Sequence, residues 1–193
     1  MNTEIKIPCG ITVEFDNHLF LEIINRYGAS GFNAWMESLC KQNLIYPTWD
    51  IRYNCPAFQV EFYLNDIDLS NRSLDTIDLT MVYVSKGNFR DSSLYGAKFL
   101  IVKNSDFSGA DLRTSMFNSC DISGCSFTGA MIEDVNWERA YYQDTPQIGL
   151  PADIMSQIKE LPQEDLGVTD AVPNKPKRIP CLAEIRDASY WVH

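Results

Sequence analysis

Large apolar side chains recur every five residues through the middle of the chain. Every fifth residue from Leu64 to Phe99 is apolar or aromatic, and after one break the same holds from Phe107 to Tyr142. Two residues earlier lies a second class, which is small (Gly, Ser, Ala, Cys) in the later part of the run. The predicted inward core includes Leu69, Leu79, Phe89, Leu94, Phe99, Phe107, Leu112, Phe117, Ile122, Phe127, Ile132 and Trp137.

Neither an α-helix nor a flat β-strand explains a period of five. A helix places its apolar residues at a spacing of about 3.6, and a strand alternates with a period of two. A chain that turns a corner after every short extended piece sends one large and one small residue inward each time, which is the arrangement of a solenoid. The pattern therefore predicts an all-β solenoid in this region.

Three strings in the run carry a family resemblance. They resemble the A(D/N)LxX unit of pentapeptide-repeat proteins, and they read GADLRT (109–114), SGCSF (123–127) and TGAMI (128–132). The resemblance implies a right-handed quadrilateral parallel β-helix with four units per coil. Sixteen units give about four coils and a tower about 19 Å tall at the ordinary strand spacing. Residues 20 apart would stack: Phe107 with Phe127, Leu112 with Ile132, and Phe117 with Trp137.

The break between the two series leaves two interpretations open. Phe99 and Phe107 are eight residues apart, three more than one unit. Either residues 100–106 bulge out as a loop, which could be functional, or Val102 points inward on a shortened side. A second irregularity is Arg72, which occupies an inward position and predicts a widened or distorted first coil.

The two ends are expected to cap the solenoid, which divides the chain into three parts: 1–58, 59–145 and 146–193. An open β-helix exposes unpaired backbone at both ends and needs covers. Residues 4–15 alternate like a hairpin, and an amphipathic helix capped by Asp16 or Asn17 ends at Gly28 before a second helix. The predicted fold is thus a β-helix with an N-terminal α+β cap and a C-terminal helical tail.

The C-terminal part changes character after Tyr142. A short helix is predicted within 144–161, and residues 162–180 form a Pro-rich linker. The last thirteen residues contain Tyr190 and Trp191, which must dock either on their own tower or on a second copy. The second possibility would make a homodimer.

Charge and hydropathy restrict the classes of partner and the compartment. The formal net charge is −10, which argues against a direct grip on nucleic acid, since that needs a basic face. The sequence contains no run of about 18 apolar residues, so no membrane span is predicted. The N-terminus does not resemble a signal peptide. A cytoplasmic protein is therefore expected.

The sequence shows no catalytic, cofactor or metal motif. It contains two histidines and six cysteines, none of them in a CxxC pair. Zinc-ligand spacing is therefore missing, and in a reducing compartment the cysteines are expected to be free thiols, with no disulfide between Cys120 and Cys125. We predict a non-enzyme that binds no metal and no cofactor.

Two functions from different classes fit these features. The first is a structural or protein–protein interaction module that uses the tower as a rigid support. The second, which the family resemblance implies, is an acidic DNA mimic that binds a type II topoisomerase such as DNA gyrase and modulates its inhibition. Both need an interaction surface, for which the candidate residues are Asp106, Asp111, Asp121, Glu133, Asp134, Glu138, Tyr190 and Trp191.

Overall fold

The structure, a computed structural model, describes parts of the chain that contain two helices and nine short strands. These parts are residues 12–41, 47–50, 55–58, 62–143, 149–160 and 178–180. The elements in chain order are β1 (Thr12–Glu14), α1 (Asn17–Lys41), β2 (Pro47–Asp50), β3 (Cys55–Phe58), β4 (Phe62–Asn65), β5 (Asp78–Ser85), β6 (Lys98–Lys103), β7 (Tyr141–Tyr142), α2 (Ala152–Met155), β8 (Lys159–Glu160) and β9 (Arg178–Pro180).

Residues 62–143 form a stack of coils joined by parallel β-pairing. β4, β5 and β6 make a three-stranded parallel sheet in that order. Isolated parallel bridges continue the pairing around the coil, for example Asp68 with Asn88 and Asp106 with Ser126. Most corners lie two residues after a large inward residue and have a left-handed backbone, as at Asn71 (φ 55) and Asp91 (φ 53). We call this region the tower.

Four inward columns define the four faces of the tower. Bridges and strand registers place the large residues above one another as follows. The first face contains Leu64, Val84, Val102 and Ile122; the second contains Leu69, Phe89, Phe107 and Phe127; the third contains Leu74, Leu94, Leu112 and Ile132; and the fourth contains Leu79, Phe99, Phe117 and Trp137. All are buried except Ile132, which is partly buried.

The aromatic members of these columns stack in the core. The Phe107 ring lies 4.7 Å from Phe89 and 5.2 Å from Phe127 between ring centroids, with nearly parallel planes. On the fourth face Phe117 stacks on Trp137 at 4.9 Å. The pairs Phe107–Phe127 and Phe117–Trp137 lie 20 residues apart, as the period predicts, whereas Phe89 and Phe107 lie 18 apart. Stacking buries both sides of the Phe107 ring.

The break at residues 100–106 is a shortened side with Val102 in the core. Val84 pairs with Val102 while Leu79 pairs with Phe99, with a register shift in between, so β6 needs two residues fewer than β5. Val102 is 0% exposed. Bridges across this coil therefore join residues 18 apart, such as Asn88 and Asp106. The interpretation of 100–106 as a bulging loop is wrong, because the strand runs straight across that corner.

Helix α1 lies against the first coil. Asp16 accepts a hydrogen bond from the Leu19 N–H at 2.8 Å, and Gly28 (φ 67) kinks the helix where its predicted end lies. The Asn33 side chain donates to the Thr76 carbonyl and accepts from the Asp78 N–H, both at 2.8 Å. Phe20, Phe32 and Leu39, all on α1, are buried.

Arg72 does not enter the core. Its guanidinium donates to the Asn25 side chain on α1 at 2.7 Å. The inward positions on either side, Ile67 and Ile77, are filled and buried. Because α1 takes up the arginine at the end of the tower, the first coil tolerates a large cation at an otherwise small position.

The chain after the tower returns to its last coil. β8 pairs in parallel with β7, with Tyr141 opposite Lys159, and the Lys159 N–H donates to the Ala140 carbonyl at 3.0 Å. Gly149 (φ 89) approaches so closely that a Cβ there would lie 2.5 Å from the Thr128 nitrogen. The predicted short helix is α2. The tail 181–193 and most of the Pro-rich linker lie outside the described residues.

Four strands outside the tower form two antiparallel pairs. β1 pairs antiparallel with β9, so that Thr12 faces Pro180, and β2 pairs antiparallel with β3. The first arm of the predicted N-terminal hairpin lies outside the described residues. The number of coils and the capping role of the two ends stay predictions.

Candidate interaction surface

Asp106 and Asp111, predicted as interaction residues, each hold a local turn and an arginine. Asp106 accepts hydrogen bonds from the Ser108 N–H and hydroxyl and pairs with Arg90 at 3.0 Å. Asp111 binds the Arg113 guanidinium through both oxygens, at 2.9 and 2.7 Å. Their charge is therefore largely neutralised by basic neighbours within the tower.

The electrostatics of both carboxylates follow from these contacts. Partial burial acts to raise the pKa of Asp106, but the hydrogen bonds from Ser108 and Arg90 outweigh it and lower this pKa below its ordinary value. The side-chain hydrogen bonds from Arg113 lower the pKa of Asp111, against a smaller effect of burial. Both groups are therefore ionised at neutral pH and act as acceptors.

Asp121 is buried and faces Lys103. The residue is 3% exposed, and its carboxylate lies 3.2 Å from the Lys103 ammonium, with side-chain exposures of 4% and 11%. Asp121 also accepts hydrogen bonds from the Ser123 N–H and hydroxyl. A carboxylate so deeply placed does not offer its charge to a large partner.

The remaining predicted acids lie on the last coil. Glu133, Asp134 and Glu138 are exposed on the last coil, and Glu138 pairs loosely with Arg139 at 3.7 Å. Tyr190 and Trp191 lie outside the described residues. Of the six predicted acids, three are held by basic neighbours within the tower and three are exposed on the last coil.

Three exposed apolar side chains, which the sequence analysis missed, mark the third and fourth faces. Tyr95 is 46% exposed and Met131 42% exposed on the third face, and Met116 is 43% exposed on the fourth. Each directly precedes or follows a large inward residue, at a position that carries polar side chains elsewhere on these two faces except at Leu100. That position in the repeat is the signal that could have identified them.

The third face surrounds its apolar residues with charge. Tyr95, Arg113 and Glu133 occupy one vertical row, because each follows the inward residue of the same column. The exposed residue Asp75 lies one coil below Tyr95 in that row and accepts a hydrogen bond from its N–H at 3.2 Å. We call Tyr95, Arg113, Met131 and Glu133 the third-face patch.

The buried thiols offer no reactive group. Burial raises the pKa of Cys125 to about 12 and raises that of Cys120 well above its ordinary value. Both cysteines are buried and neither is in a disulfide, and the Cys125 thiol donates to the Val102 carbonyl at 2.7 Å. A thiol that stays protonated is neither a nucleophile nor a metal ligand.

The described parts of the chain fit neither a metal-binding site nor a membrane-spanning region. Within those parts no group of three or more His, Cys, Asp or Glu side chains could hold a metal ion. None of the helices found there is long and apolar enough to cross a membrane.

Comparison with known proteins identifies the repeat. Residues 102–134 match the family model of pentapeptide repeats in eight copies, which confirms the resemblance predicted from the sequence. Such repeats form right-handed β-helices, in agreement with the parallel pairing of the tower. No curated protein matches the chain.

Two solved structures are similar to part of the chain. One is a pentapeptide repeat protein from the Arabidopsis thaliana thylakoid lumen, with 24% identity and a TM-score of 0.30 over 49% of this chain and 72% of that one. The other is a pentapeptide repeat protein from Nostoc Pcc 7120, with 17% identity and a TM-score of 0.19 over 51% of this chain and 80% of that one.

Proposed function

We propose that this pentapeptide-repeat protein is a non-catalytic interaction module that binds a protein partner through the third-face patch. The observation that carries the proposal is the exposure of Tyr95 and Met131, above 40% each, on a face whose other outward side chains are polar or charged. Aromatic residues and methionine are enriched where proteins meet, and charged residues form the rim around them.

The backbone beneath the patch is held from both sides. The Gly96 N–H donates to the Arg113 carbonyl at 3.0 Å, and the Thr114 N–H donates to the Glu133 carbonyl at 3.0 Å. Because this surface is already ordered, the tower loses little conformational entropy when a partner binds. The acidic rim favours a partner segment that is apolar with basic flanks.

Ion pairing argues against the alternative, a DNA mimic that binds a topoisomerase such as gyrase. A mimic of duplex DNA needs regularly spaced negative charge, yet six of the seven basic residues between 61 and 144 lie beside an acid. These pairs are Lys86–Asp66, Arg90–Asp106, Lys98–Asp78, Lys103–Asp121, Arg113–Asp111 and Arg139–Glu138. A tower about 19 Å tall would also match only about five or six base pairs.

We further propose that the two ends close a tower of about four coils. Asn33 pairs with a carbonyl and an N–H of the first coil, at an edge of the sheet to which no described strand is added. At the other end β8 and the segment around Gly149 lie on the last coil. Closed ends leave the side faces, and not the sheet edges, for a partner.

The proposal is tested by comparing partner capture by three proteins cross-linked in extracts of the source organism. These are the wild type, the double variant Tyr95→Asp/Met131→Asp, and the control Thr128→Asp at an exposed position of the second face. We expect at least one protein to be captured equally by the wild type and the control and at least tenfold less by the double variant. A capture profile identical for all three would refute the patch.

A gyrase supercoiling assay distinguishes the DNA mimic from the interaction module. The purified protein is titrated with and without a fluoroquinolone, and light scattering gives its mass. No effect is expected from an interaction module. Dose-dependent inhibition or drug protection that disappears with Asp106→Lys/Asp111→Lys would instead establish the DNA mimic.

A further inference from the structure

The first face carries an outward stripe unlike those of the other three. The residues that precede its inward column are Tyr63, Tyr83, Ile101, Asp121 and Tyr141. Parallel pairing aligns Tyr63 with Tyr83, Tyr83 with Ile101, Ile101 with Asp121 and Asp121 with Tyr141. The two lowest rings lie 5.6 Å apart between centroids. We call these five residues the first-face stripe; it runs the height of the tower.

This outward stripe is partly shielded from water, since Asp121 is buried and the other four residues are half-buried. Asp121 is only 3% exposed although it points away from the core, and its partner Lys103 has a side-chain exposure of 11%. By contrast, Tyr95 on the third face is 46% exposed. Burial also raises the pKa of the Tyr63 hydroxyl. An ion pair on an open sheet face would be hydrated, so the low exposure indicates a cover.

The C-terminal segment follows β9, whose partner strand β1 leads to the first coil of the tower. β9 ends at Pro180, which pairs with Thr12 in β1. Three residues further along the chain from Thr12, the Phe15 ring lies 4.3 Å from Phe62, the residue that precedes Tyr63. The thirteen residues beyond Pro180 can reach about 43 Å when extended. The stripe spans four strand spacings, about 19 Å, so the segment can follow it to the top.

We propose that residues 181–193 dock on the first-face stripe of the same molecule. The segment contains Leu182, Ile185, Tyr190, Trp191 and Val192, whose apolar surface matches the tyrosines and Ile101. The proposal goes beyond the proposed function, because it concerns an internal contact on a face other than the third-face patch. It makes the first face unavailable to partners while the segment is bound.

Limited proteolysis of the full chain tests this contact. Trypsin cuts after Arg186 and releases residues 187–193, which mass spectrometry quantifies. We expect release from the wild type to be at least tenfold slower than from Ile101→Arg, which places a charge in the middle of the stripe. The matched control Tyr95→Arg on the third face should behave as the wild type. Equal release from the wild type and Ile101→Arg would overturn the proposal.

Cross-linking identifies the occupant without weakening the fold. A benzophenone amino acid replaces Trp191, and a mixture of light and 15N-labelled protein is irradiated. Cross-links to the peptide that contains Ile101, within chains of a single isotope, are expected. Mixed-isotope products would show a second copy on the stripe, whereas cross-links confined to other faces, or none at all, would show that the segment docks elsewhere. Each of these three results overturns the proposal.

Discussion

At most corners of the tower a large inward residue and a left-handed residue two positions later have separate roles. Leu69 fills the core, while Asn71 (φ 55) turns the chain toward the next face. Non-glycine residues adopt this conformation at several corners, at a cost of about 1–2 kcal/mol each. Hydrogen bonds to the neighbouring coils offset that cost, as at Asn71, whose N–H donates to the Arg90 carbonyl at 2.9 Å.

Two glycines with the same backbone conformation should respond differently to alanine. Gly129 (φ 69) has nothing within 4 Å of an added Cβ, so Gly129→Ala should cost only about 1 kcal/mol of backbone strain. At Gly149 (φ 89) the Cβ would lie 2.6 Å from the Thr128 Cα, so Gly149→Ala should cost about 3 kcal/mol or detach this segment. Urea unfolding measures the first cost, and hydrogen exchange at β8 measures the second. Equal effects would contradict the close approach.

The buried thiol of Cys125 should make the protein less stable at alkaline pH. Its pKa rises from 9.0 to about 12 on folding, so below pH 9 both states keep the proton and stability is unaffected. Above pH 9 the unfolded chain releases the proton and the folded one does not, so the free energy of unfolding falls by about 1.4 kcal/mol per pH unit up to pH 12.

Comparison of Cys125→Ala with the wild type isolates this effect. The variant loses the hydrogen bond to Val102, so its free energy of unfolding is lower at every pH. Between pH 9 and 10.5, however, this free energy should fall by about 2 kcal/mol less in the variant than in the wild type. Urea unfolding at half-unit steps of pH gives both curves. The same slope in the two proteins would show that the thiol ionises normally in the folded state.

At the scale of elements, β6 shows where sequence reasoning ends. The five-residue period alone predicts the four columns, because it specifies which side chains point inward. It could not decide between a loop and a shortened side, since both keep Phe99 and Phe107 inward. The choice depends on the register shift between β5 and β6, a relation between residues about 20 apart. Only the pairing with Val84 places Val102 in the core.

Alanine substitutions on β6 test the shortened side. Val102 is completely buried, so Val102→Ala should lower the free energy of unfolding by about 2 kcal/mol. Leu100 on the same strand is only half-buried, so Leu100→Ala should cost about 1 kcal/mol or less. Urea unfolding compares the two. A larger loss for Leu100→Ala would restore the loop interpretation.

The interaction residues were harder to predict than the core, for a related reason. Arg113 lies two residues after Asp111 and its pairing could have been foreseen from the sequence. The partners of Asp106 and Asp121 could not, because Arg90 and Lys103 lie 16 and 18 residues earlier, across coils whose length the break alters. Net charge was therefore a poor guide to the surface, since it counts acids without their partners.

At the scale of the whole molecule, one aromatic cluster joins α1 to the tower. Phe62, at the start of β4, lies 4.3 Å from Phe15 and 5.8 Å from Trp35 between ring centroids. Because Phe62 is 1% exposed and contacts both parts, it couples their stability. The helix and the tower should therefore unfold in one transition in the wild type.

Phe62→Ala should separate that transition into two. The substitution removes about 3–5 kcal/mol of packing, and this loss falls on the contact between the helix and the first coil. Ellipticity at 222 nm, which follows α1, should then fall at lower urea than the near-ultraviolet signal of the aromatic stacks. Phe127→Ala, the same change in the upper coils, should lower stability without separating the two signals. Coincident transitions in Phe62→Ala would mean that the hydrogen bonds of Asn33 suffice to hold the helix on the tower.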